Sequence, residues 1–380
     1  MIPALLLALG LFAILFDPFG AEQALSRRLF DAYQRHLPYS GGDAGVTAFD
    51  LPAMDEDSLA RATRALAASG AKLVVFAAPP DTSLSPQALL AKLLPGPAFE
   101  AARAALSRLP EPGHDLAEAL TAVKGVVPVA LGIAGRPLRV KARFLYRGAD
   151  DPFGKLPRMM EGAGALPILE RTAAGIAAFN LPADADGVVR RMPLAFRLGD
   201  LLVPGLAVEA LRLAENRAAI TVTTDARDPL SFLTGVGIAG METAKAWVPA
   251  DRNGAIHPRF ARPAPHRQAV APDASLAGMI AVIGPAGANV ITPLGRDSVA
   301  GVVAQSIRAL ATGEILARPS WARLAEALLL ALAGGAALLL LRFGLGWAAA
   351  ALLGAMVLFA LGSWYLFVGG GLLIDSATPA

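Results

Sequence analysis

The chain has 380 residues, of which 55% are apolar, 17% are charged and none is cysteine. Its mean hydropathy of +0.51 is too high for an ordinary soluble globule, and the lack of cysteine excludes disulfide frameworks, thiolate metal sites and thiol nucleophiles. The net charge of +3 comes from dispersed basic residues, which argues against a nucleic-acid-binding protein. The apolar excess lies at the two ends, because residues 1–20 carry one charge and residues 321–380 carry four, whereas residues 21–320 carry 60.

The N-terminal segment is apolar without interruption over residues 2–16 and ends at Asp17. This run is shorter than the ~20 residues that a helix needs to cross a bilayer. A cleaved signal peptide has such a length, but no Lys or Arg precedes the run and no small-residue cleavage site follows it. We therefore expect residues 1–20 to be a membrane anchor whose start lies slightly upstream, with a signal peptide as the alternative.

Residues 21–320 alternate between helical and strand patterns. The predicted helices are 57–69, 99–109, 116–123, 204–214 and 299–312, and the predicted strands are 72–76, 126–131 and 279–284. These strands are apolar at every position, as strands are when helices cover both faces of a sheet. The pattern predicts an α/β domain built on a parallel sheet.

The middle of this domain differs from the rest. Two extended runs, 175–181 and 188–196, flank a segment that ends in Asp186-Gly187. Because glycine adopts the positive φ that a tight turn requires, the pattern predicts an inserted β-hairpin. Residues 137–170 are rich in Gly and Pro and predict a long surface loop for a ligand or partner.

The charged residues of the hairpin are the main candidates for chemistry. Asp184 and Asp186 resemble half of a calcium loop, but the downstream acidic residues are missing, so carboxylates that cap a turn are favoured. Arg190 and Arg191 would face opposite sides of a strand; one is expected to pair with an acidic turn residue and the other to meet an anionic ligand or partner. We predict no catalytic, cofactor or metal site, because no histidine pair, phosphate loop or nucleophile elbow occurs.

The C-terminal region predicts two transmembrane helices, residues 321–343 and 345–368, joined by a tight turn. Arg342 in that turn favours the cytoplasm by the positive-inside tendency. This topology places residues 21–320 and the tail 369–380 outside the membrane and the N-terminus inside.

Gly346, Ala350 and Gly354 recur at every fourth position of the second span. Small residues at this spacing form a smooth helix face where a neighbouring backbone can approach. We expect this stripe to pack either within the helical hairpin or across a homodimer.

The order of the segments and several short motifs resemble the CHASE type-2 family, extracellular sensor domains of bacterial membrane receptors. The fragment similar to the family signature is Asp184-x-Asp186-Gly187-Val188-Val189-Arg190-Arg191-x-Pro193. Other fragments that fit are Phe30-Asp31, Gly70-Ala71-Lys72-x-Val74-Val75-Phe76, Pro204-x-Leu206-Ala207, Val248-Pro249-Ala250-Asp251-x-x-Gly254, Leu276-x-Gly278-x-Ile280-x-Val282-Ile283-Gly284, Thr292-Pro293 and Gly301-Val302. The resemblance marks Asp184, Asp186, Gly187, Arg190, Arg191, Thr292 and Pro293 as signature residues with either structural or ligand-binding roles.

The resemblance implies a sensory input module in the bacterial inner membrane that reads an unidentified extracytoplasmic ligand or protein and works as a homodimer. In the family, three spans usually follow the sensor before a cytoplasmic cyclase or kinase. Since this chain has two such spans, we expect a fragment or a degenerate product that lacks its output, most simply a nucleotide cyclase.

Three positions depart from the family pattern. A shortened segment, residues 51–55, replaces the usual Trp-Pro-Trp element, Ala77 stands where aspartate is common, and Gln305 stands where histidine is frequent. If these positions shape a ligand site, this protein senses something different from its relatives.

Two other classes of function stay open from the sequence. One is a membrane-tethered extracytoplasmic hydrolase, which needs a cleft with perturbed carboxylates. The other is an envelope protein that binds a partner through residues 137–170.

Overall fold

The computed structural model describes residues 21–81, 96–108, 111–148, 150–224, 236–245, 247–251, 253–262, 276–317, 319 and 322–372. Its α-helices are α1 Ala21–His36, α2 Glu56–Ala68, α3 Glu100–Ser107, α4 His114–Ala119, α5 Pro167–Thr172, α6 Leu206–Ala214, α7 Val299–Thr312, α8 Ala322–Leu340 and α9 Leu345–Gly370. Short 3-10 turns occur at Pro97–Phe99, Pro152–Lys155 and Leu341–Phe343. The predicted anchor 1–20 and the end of the tail, 373–380, lie outside the described residues.

The strands are β1 Val46–Leu51, β2 Leu73–Phe76, β3 Gly125–Leu131, β4 Arg143–Arg147, β5 Arg158–Met159, β6 Gly162–Ala163, β7 Gly175–Ala178, β8 Met192–Pro193, β9 Ala195–Leu198, β10 Leu201–Pro204, β11 Ala219–Thr224, β12 Ile238–Glu242, β13 Trp247–Pro249, β14 Ala255–Pro258, β15 Ile280–Pro285, β16 Asn289–Thr292, β17 Gly295–Ser298 and β18 Ile315–Leu316. Strands β1, β15, β2, β3 and β7 pair in that order and are all parallel, while β6 pairs antiparallel with the end of β3. The predicted α/β fold with parallel strands is confirmed.

Helices cover both faces of the central sheet. Because alternate strand residues face opposite sides, Val74 and Phe76 pack with α2 and α4, whereas Leu73 and Val75 pack with α6 and α7. All four residues of β2 are fully buried, which explains the continuous apolar run of this strand. The carboxylate of Asp55 caps the start of α2 by accepting from the Ser58 N–H.

The prediction that residues 137–170 form a long surface loop is wrong. This segment contains β4, β5, β6 and α5, and β4 pairs in parallel with β11 at the edge of a second sheet, β13-β12-β11-β4. Four of the five β4 residues are exposed, so the strand lacks the apolar alternation by which sequence reasoning recognises half-buried strands.

The inserted β-hairpin is not confirmed, because the two predicted runs pair with other strands. Strand β7 pairs in parallel with β3, and β8 pairs antiparallel with β14. The turn between the runs is present: the Asp184 N–H donates to the Val188 carbonyl oxygen, and the N–H of Gly187, at φ +79°, donates to Asp184. An antiparallel hairpin instead follows at β9–β10.

Helices α8 and α9 pack against each other and are long and apolar enough to cross a membrane. Gly344, at φ +121°, separates the Leu341–Phe343 turn from α9. The predicted spans 321–343 and 345–368 fall on these two helices, and that the helices cross a membrane stays a prediction. At 1.5 Å per residue, the 19 residues of α8 extend roughly 29 Å, close to the thickness of a bilayer core.

The C-terminal end of α9 lies against the α/β domain. The Ala317 N–H donates to the Gly371 carbonyl oxygen at 2.9 Å, and Ala317 and Leu372 form an isolated parallel bridge. The Phe367 side chain, fully buried, packs with Leu316 and with α1. The end of α9 is therefore held against the domain by contacts with both α1 and the β18 region.

Candidate ligand-sensing site

Arg190 lies at the centre of a buried ion-pair cluster, here called the Arg190 cluster, with Asp31, Asp184, Asp186 and Arg191. Its Nε and one terminal nitrogen donate to the two oxygens of Asp31 at 2.7 and 2.8 Å. The terminal nitrogens also donate to Asp184 at 2.9 Å and to both oxygens of Asp186 at 2.8 and 2.7 Å. All five guanidinium N–H groups are thus occupied.

The signature turn positions the carboxylates of this cluster. The tight turn at 184–187 brings Asp184 and Asp186 to the same guanidinium, and Asp186 also accepts from the Val188 N–H. Arg191 reaches Asp184 at 3.0 Å from the solvent side, with its side chain 45% exposed. Both arginines therefore pair with turn carboxylates, and the expectation that one of them also meets an anionic ligand or partner stays a prediction.

The electrostatics of the cluster follow from these hydrogen bonds. The Arg190 guanidinium lowers the pKa of Asp186 to about 2, because its hydrogen bonds stabilise the carboxylate. Burial opposes the charged form of Arg190, but the hydrogen bonds to Asp31, Asp186 and Asp184 prevail and raise its pKa. Both shifts favour the charged forms of Asp186 and Arg190.

A cleft of about 540 Å³ lies beside the cluster. Its walls come from α1, from the β16–β17 hairpin and from the segment after β14, and the lining residues are Asp31, Arg35, Val188, Arg262, Ile291, Thr292, Pro293, Leu294 and Gly295. The predicted signature residues Thr292 and Pro293 thus line the cleft, and Asp31 is shared between the cleft and the cluster. The Thr292 hydroxyl donates to the Gly295 carbonyl oxygen, which holds the hairpin turn closed.

Helix α1 connects the cleft to the second span. Asp31 and Arg35 lie one turn apart on the face toward the cleft. On the opposite face, the Tyr33 hydroxyl is 3.0 Å from the Ser363 hydroxyl of α9, and the Tyr33 ring lies 5.3 Å from Trp364 and 4.7 Å from Phe367, centroid to centroid. Asp31 in the cleft wall and Tyr33 in contact with α9 are thus only two positions apart in the sequence.

The small-residue stripe of α9 is open in the part of the chain that the structure describes. A side chain added at Gly346 or Gly354 would meet no atom within 4 Å, and Ala350 is exposed. The stripe thus has room for a neighbouring helix, and its packing, within the helical hairpin or across a homodimer, stays a prediction.

Comparison with known proteins identifies the family. A family model described as the CHASE2 domain matches residues 4–341. The chain belongs to the CHASE2 family. Searches of curated proteins and of solved structures each gave no significant match. CHASE2 domains are extracellular sensory modules of signalling receptors, and the two apolar helices of this chain could span a membrane.

Two departures from the CHASE2 pattern lie in packed positions rather than in the cleft. Ala77 is fully buried, and its N–H donates to the Ile283 carbonyl oxygen at the end of the central sheet. Gln305 is also buried; its amide donates to Asp297 at 2.6 Å and accepts from the Ala261 N–H at 2.7 Å. Ala77 thus joins the end of β2 to β15, and Gln305 connects α7 to β17 and to the segment after β14.

Sequence reasoning missed three groups that the structure brings to this CHASE2 site. Helix α1 was not assigned, although Phe30, Tyr33 and Leu37 follow a helical spacing that could have revealed its buried face. Asp31 entered only through the resemblance. Arg35 and Arg262 belong to no recognisable sequence motif, and they meet at one cleft only in the folded chain.

Proposed function

We propose that this chain is the sensory input module of a receptor in the bacterial inner membrane, and that helix α1 transmits the state of the sensor domain to the spans. One observation carries the proposal: α1 contributes a wall of the cleft through Asp31 and contacts the end of α9 through Tyr33. A ligand that displaces α1 would change both sets of contacts together.

The mechanism is a shift between two arrangements of α1 on the domain. A ligand that binds one arrangement more tightly increases its population by its differential affinity. Because the Arg190 cluster fixes Asp31 by two charge-assisted hydrogen bonds, α1 moves as a unit with the signature turn. The output that we expect is a cytoplasmic nucleotide cyclase.

Such outputs work as dimers, and the open stripe of α9 supports a homodimer contact at Gly346, Ala350 and Gly354. Replacing Gly354 by Leu fills this smooth face, so association in a membrane two-hybrid assay should fall. The matched variant Leu352→Ala changes a side chain of α9 that is 46% exposed and, two residues before Gly354, lies on the other side of the helix. Equal association of Gly354→Leu and the unchanged chain would exclude the stripe as the interface.

The proposal is tested by a cross-link that reports on the attachment of α9. The chain contains no cysteine, so the double variant Ala317→Cys/Leu372→Cys introduces one possible disulfide, at residues that pair as a parallel bridge. Adding Asp31→Asn removes the charge that Arg190 holds while keeping the side-chain shape. We expect oxidation of the cysteine pair in native membranes to slow severalfold, because α1 is released from the cluster.

The control for this experiment is Arg64→Gln. It breaks an exposed ion pair between Arg64 of α2 and Glu118 of α4, neither of which belongs to α1 or α9. It should leave the cross-linking rate unchanged. Thermal melting must show that both variants are folded at the assay temperature. If Asp31→Asn cross-links at the rate of the control, α1 does not couple the domain to the spans.

A further inference from the structure

The cleft beside α1 has the charge of an anion-binding site. Two arginines, Arg35 and Arg262, line it from different segments of the chain. The acidic lining residue, Asp31, belongs to the Arg190 cluster, whose three carboxylates and two guanidinium groups have a net charge of −1, so Arg35 and Arg262 bring the cleft and cluster together to a net charge of +1. The local field in the cleft is therefore positive.

The two arginines retain donors for a ligand. Arg35 is held in place because its Nε donates to the Pro293 carbonyl oxygen at 3.2 Å, while its side chain is 65% exposed and its nearest carboxylate oxygen is 4.0 Å away. Arg262 is exposed, and across the described ranges no hydrogen bond or ion pair occupies it. Guanidinium groups with free terminal N–H groups bind carboxylates and phosphates in a bidentate manner.

A third arginine lies nearby. Arg296 is exposed and directly opposite Ile291 in the β16–β17 hairpin. Residues opposite each other in an antiparallel pair project to the same face, and Ile291 lines the cleft. The positive charge therefore extends along one face of this hairpin.

The cleft lies close to the expected membrane surface, so both soluble anions and lipid head groups could reach it. Its α1 wall is separated by one helix diameter, roughly 10 Å, from the contact between Tyr33 and Trp364 near the end of α9. Tryptophan is typical of the membrane–water interface. A volume of about 540 Å³ accommodates a small organic molecule or a lipid head group.

We propose that this cleft binds an oxyanion, a carboxylate or phosphate group, through Arg35 and Arg262, and that this group is the cue of the sensor. The inference rests on the proposed sensory function and names the chemistry of its ligand. The oxyanion belongs either to a soluble molecule or to an anionic lipid of the outer leaflet.

The test uses the full chain in nanodiscs of neutral phosphatidylcholine. Inorganic phosphate and succinate are titrated at constant ionic strength, and binding is followed by calorimetry and by the melting temperature. In a second arm, phosphatidylglycerol replaces part of the neutral lipid. Binding of the soluble anions assigns the site to a solute, whereas stabilisation by phosphatidylglycerol alone assigns it to a lipid.

The variants Arg35→Gln and Arg262→Gln should each weaken the effect about tenfold or more, because each loses a charge-assisted hydrogen bond. Arg64→Gln, an exposed arginine on α2, should respond like the unchanged chain. The proposal is overturned if neither arm gives an effect, or if the cleft variants respond as strongly as the control. A failure here with slowed cross-linking in Asp31→Asn would remove the anion site and leave the coupling through α1 intact.

Discussion

Arg190 is 4% exposed, and each of its guanidinium N–H groups is used by a carboxylate. Arginine is the residue suited to this position, because its planar fork presents five donors in fixed directions, whereas lysine offers three donors from a single point. The cluster is thus defined by the geometry of one side chain as much as by its charge.

Replacing Arg190 by Leu leaves Asp31 and Asp184 buried without their main partner. Removing one member of a buried ion pair typically costs about 3–5 kcal/mol, so we expect a loss of this size in the free energy of unfolding. Urea denaturation of the full chain in detergent micelles measures it. Arg191→Ala is the matched control: its single ion pair is half-exposed, and its cost should stay below about 1 kcal/mol. Equal losses in the two variants would contradict the central role of Arg190.

The Asp186 carboxylate predicts a pH dependence. Its pKa is lowered from 3.8 to about 2 in the folded chain, so its contribution to stability is present above about pH 4 and is lost as the pH falls toward 2. Asp186→Asn should therefore be less stable than the unchanged chain at pH 6, with a difference that shrinks between pH 4 and pH 2. Asp200→Asn, which replaces an exposed carboxylate outside the cluster, is the control in the same melting series.

The residues of the cluster could be predicted only in part. The spacing of Asp184, Asp186 and Arg190 indicates a local turn with capping carboxylates, and the structure has this turn. The pairing of Arg190 with Asp31 joins positions 159 residues apart, and no local pattern encodes such a contact. Sequence reasoning therefore expected one arginine to pair with a turn carboxylate, whereas in the structure both do.

At the scale of elements, the continuously apolar strands β2, β3 and β15 were predictable, whereas β1 of the same sheet and the exposed β4 were not. Helix α7 was predicted at its observed bounds, and in the structure the Ser298 side chain caps its start by accepting from the Gly301 N–H. Strand β4 and the pairing of β8 with β14 depend on partners far away in the chain. Neither leaves an apolar period that could be detected beforehand.

The contact between α1 and α9 gives a prediction at this scale. Tyr33→Phe and Ser363→Ala each remove one side of a buried hydrogen bond, so a double-mutant cycle should show a coupling of about 0.5–1.5 kcal/mol. Urea denaturation in micelles provides the four free energies. A parallel cycle of Tyr33→Phe with Thr121→Ala, whose hydroxyl bonds within its own helical segment, should be additive. Additivity of the Tyr33–Ser363 cycle would mean that this hydrogen bond does not hold the span to the domain.

At the scale of the whole molecule, the arrangement of the spans relative to the domain supports one membrane topology. Helix α8 begins six residues after β18, and α9 ends beside β18, so both helix ends that border the domain lie on its side. The Leu341–Phe343 turn then lies at the far end of the helical hairpin, with Arg342 in it. The positive-inside tendency assigns this end to the cytoplasm.

This topology can be measured with single cysteines in the cysteine-free chain. We expect Asp200→Cys, at a fully exposed position of the domain, to react with a membrane-impermeant maleimide in intact cells whose outer barrier is permeabilised. Arg342→Cys should react only after the inner membrane is opened, since the turn would face the cytoplasm. Reaction of both cysteines in intact cells would mean that the hairpin does not cross the bilayer. Reaction of Arg342→Cys alone would place the sensor domain in the cytoplasm and remove the basis for an extracytoplasmic cue.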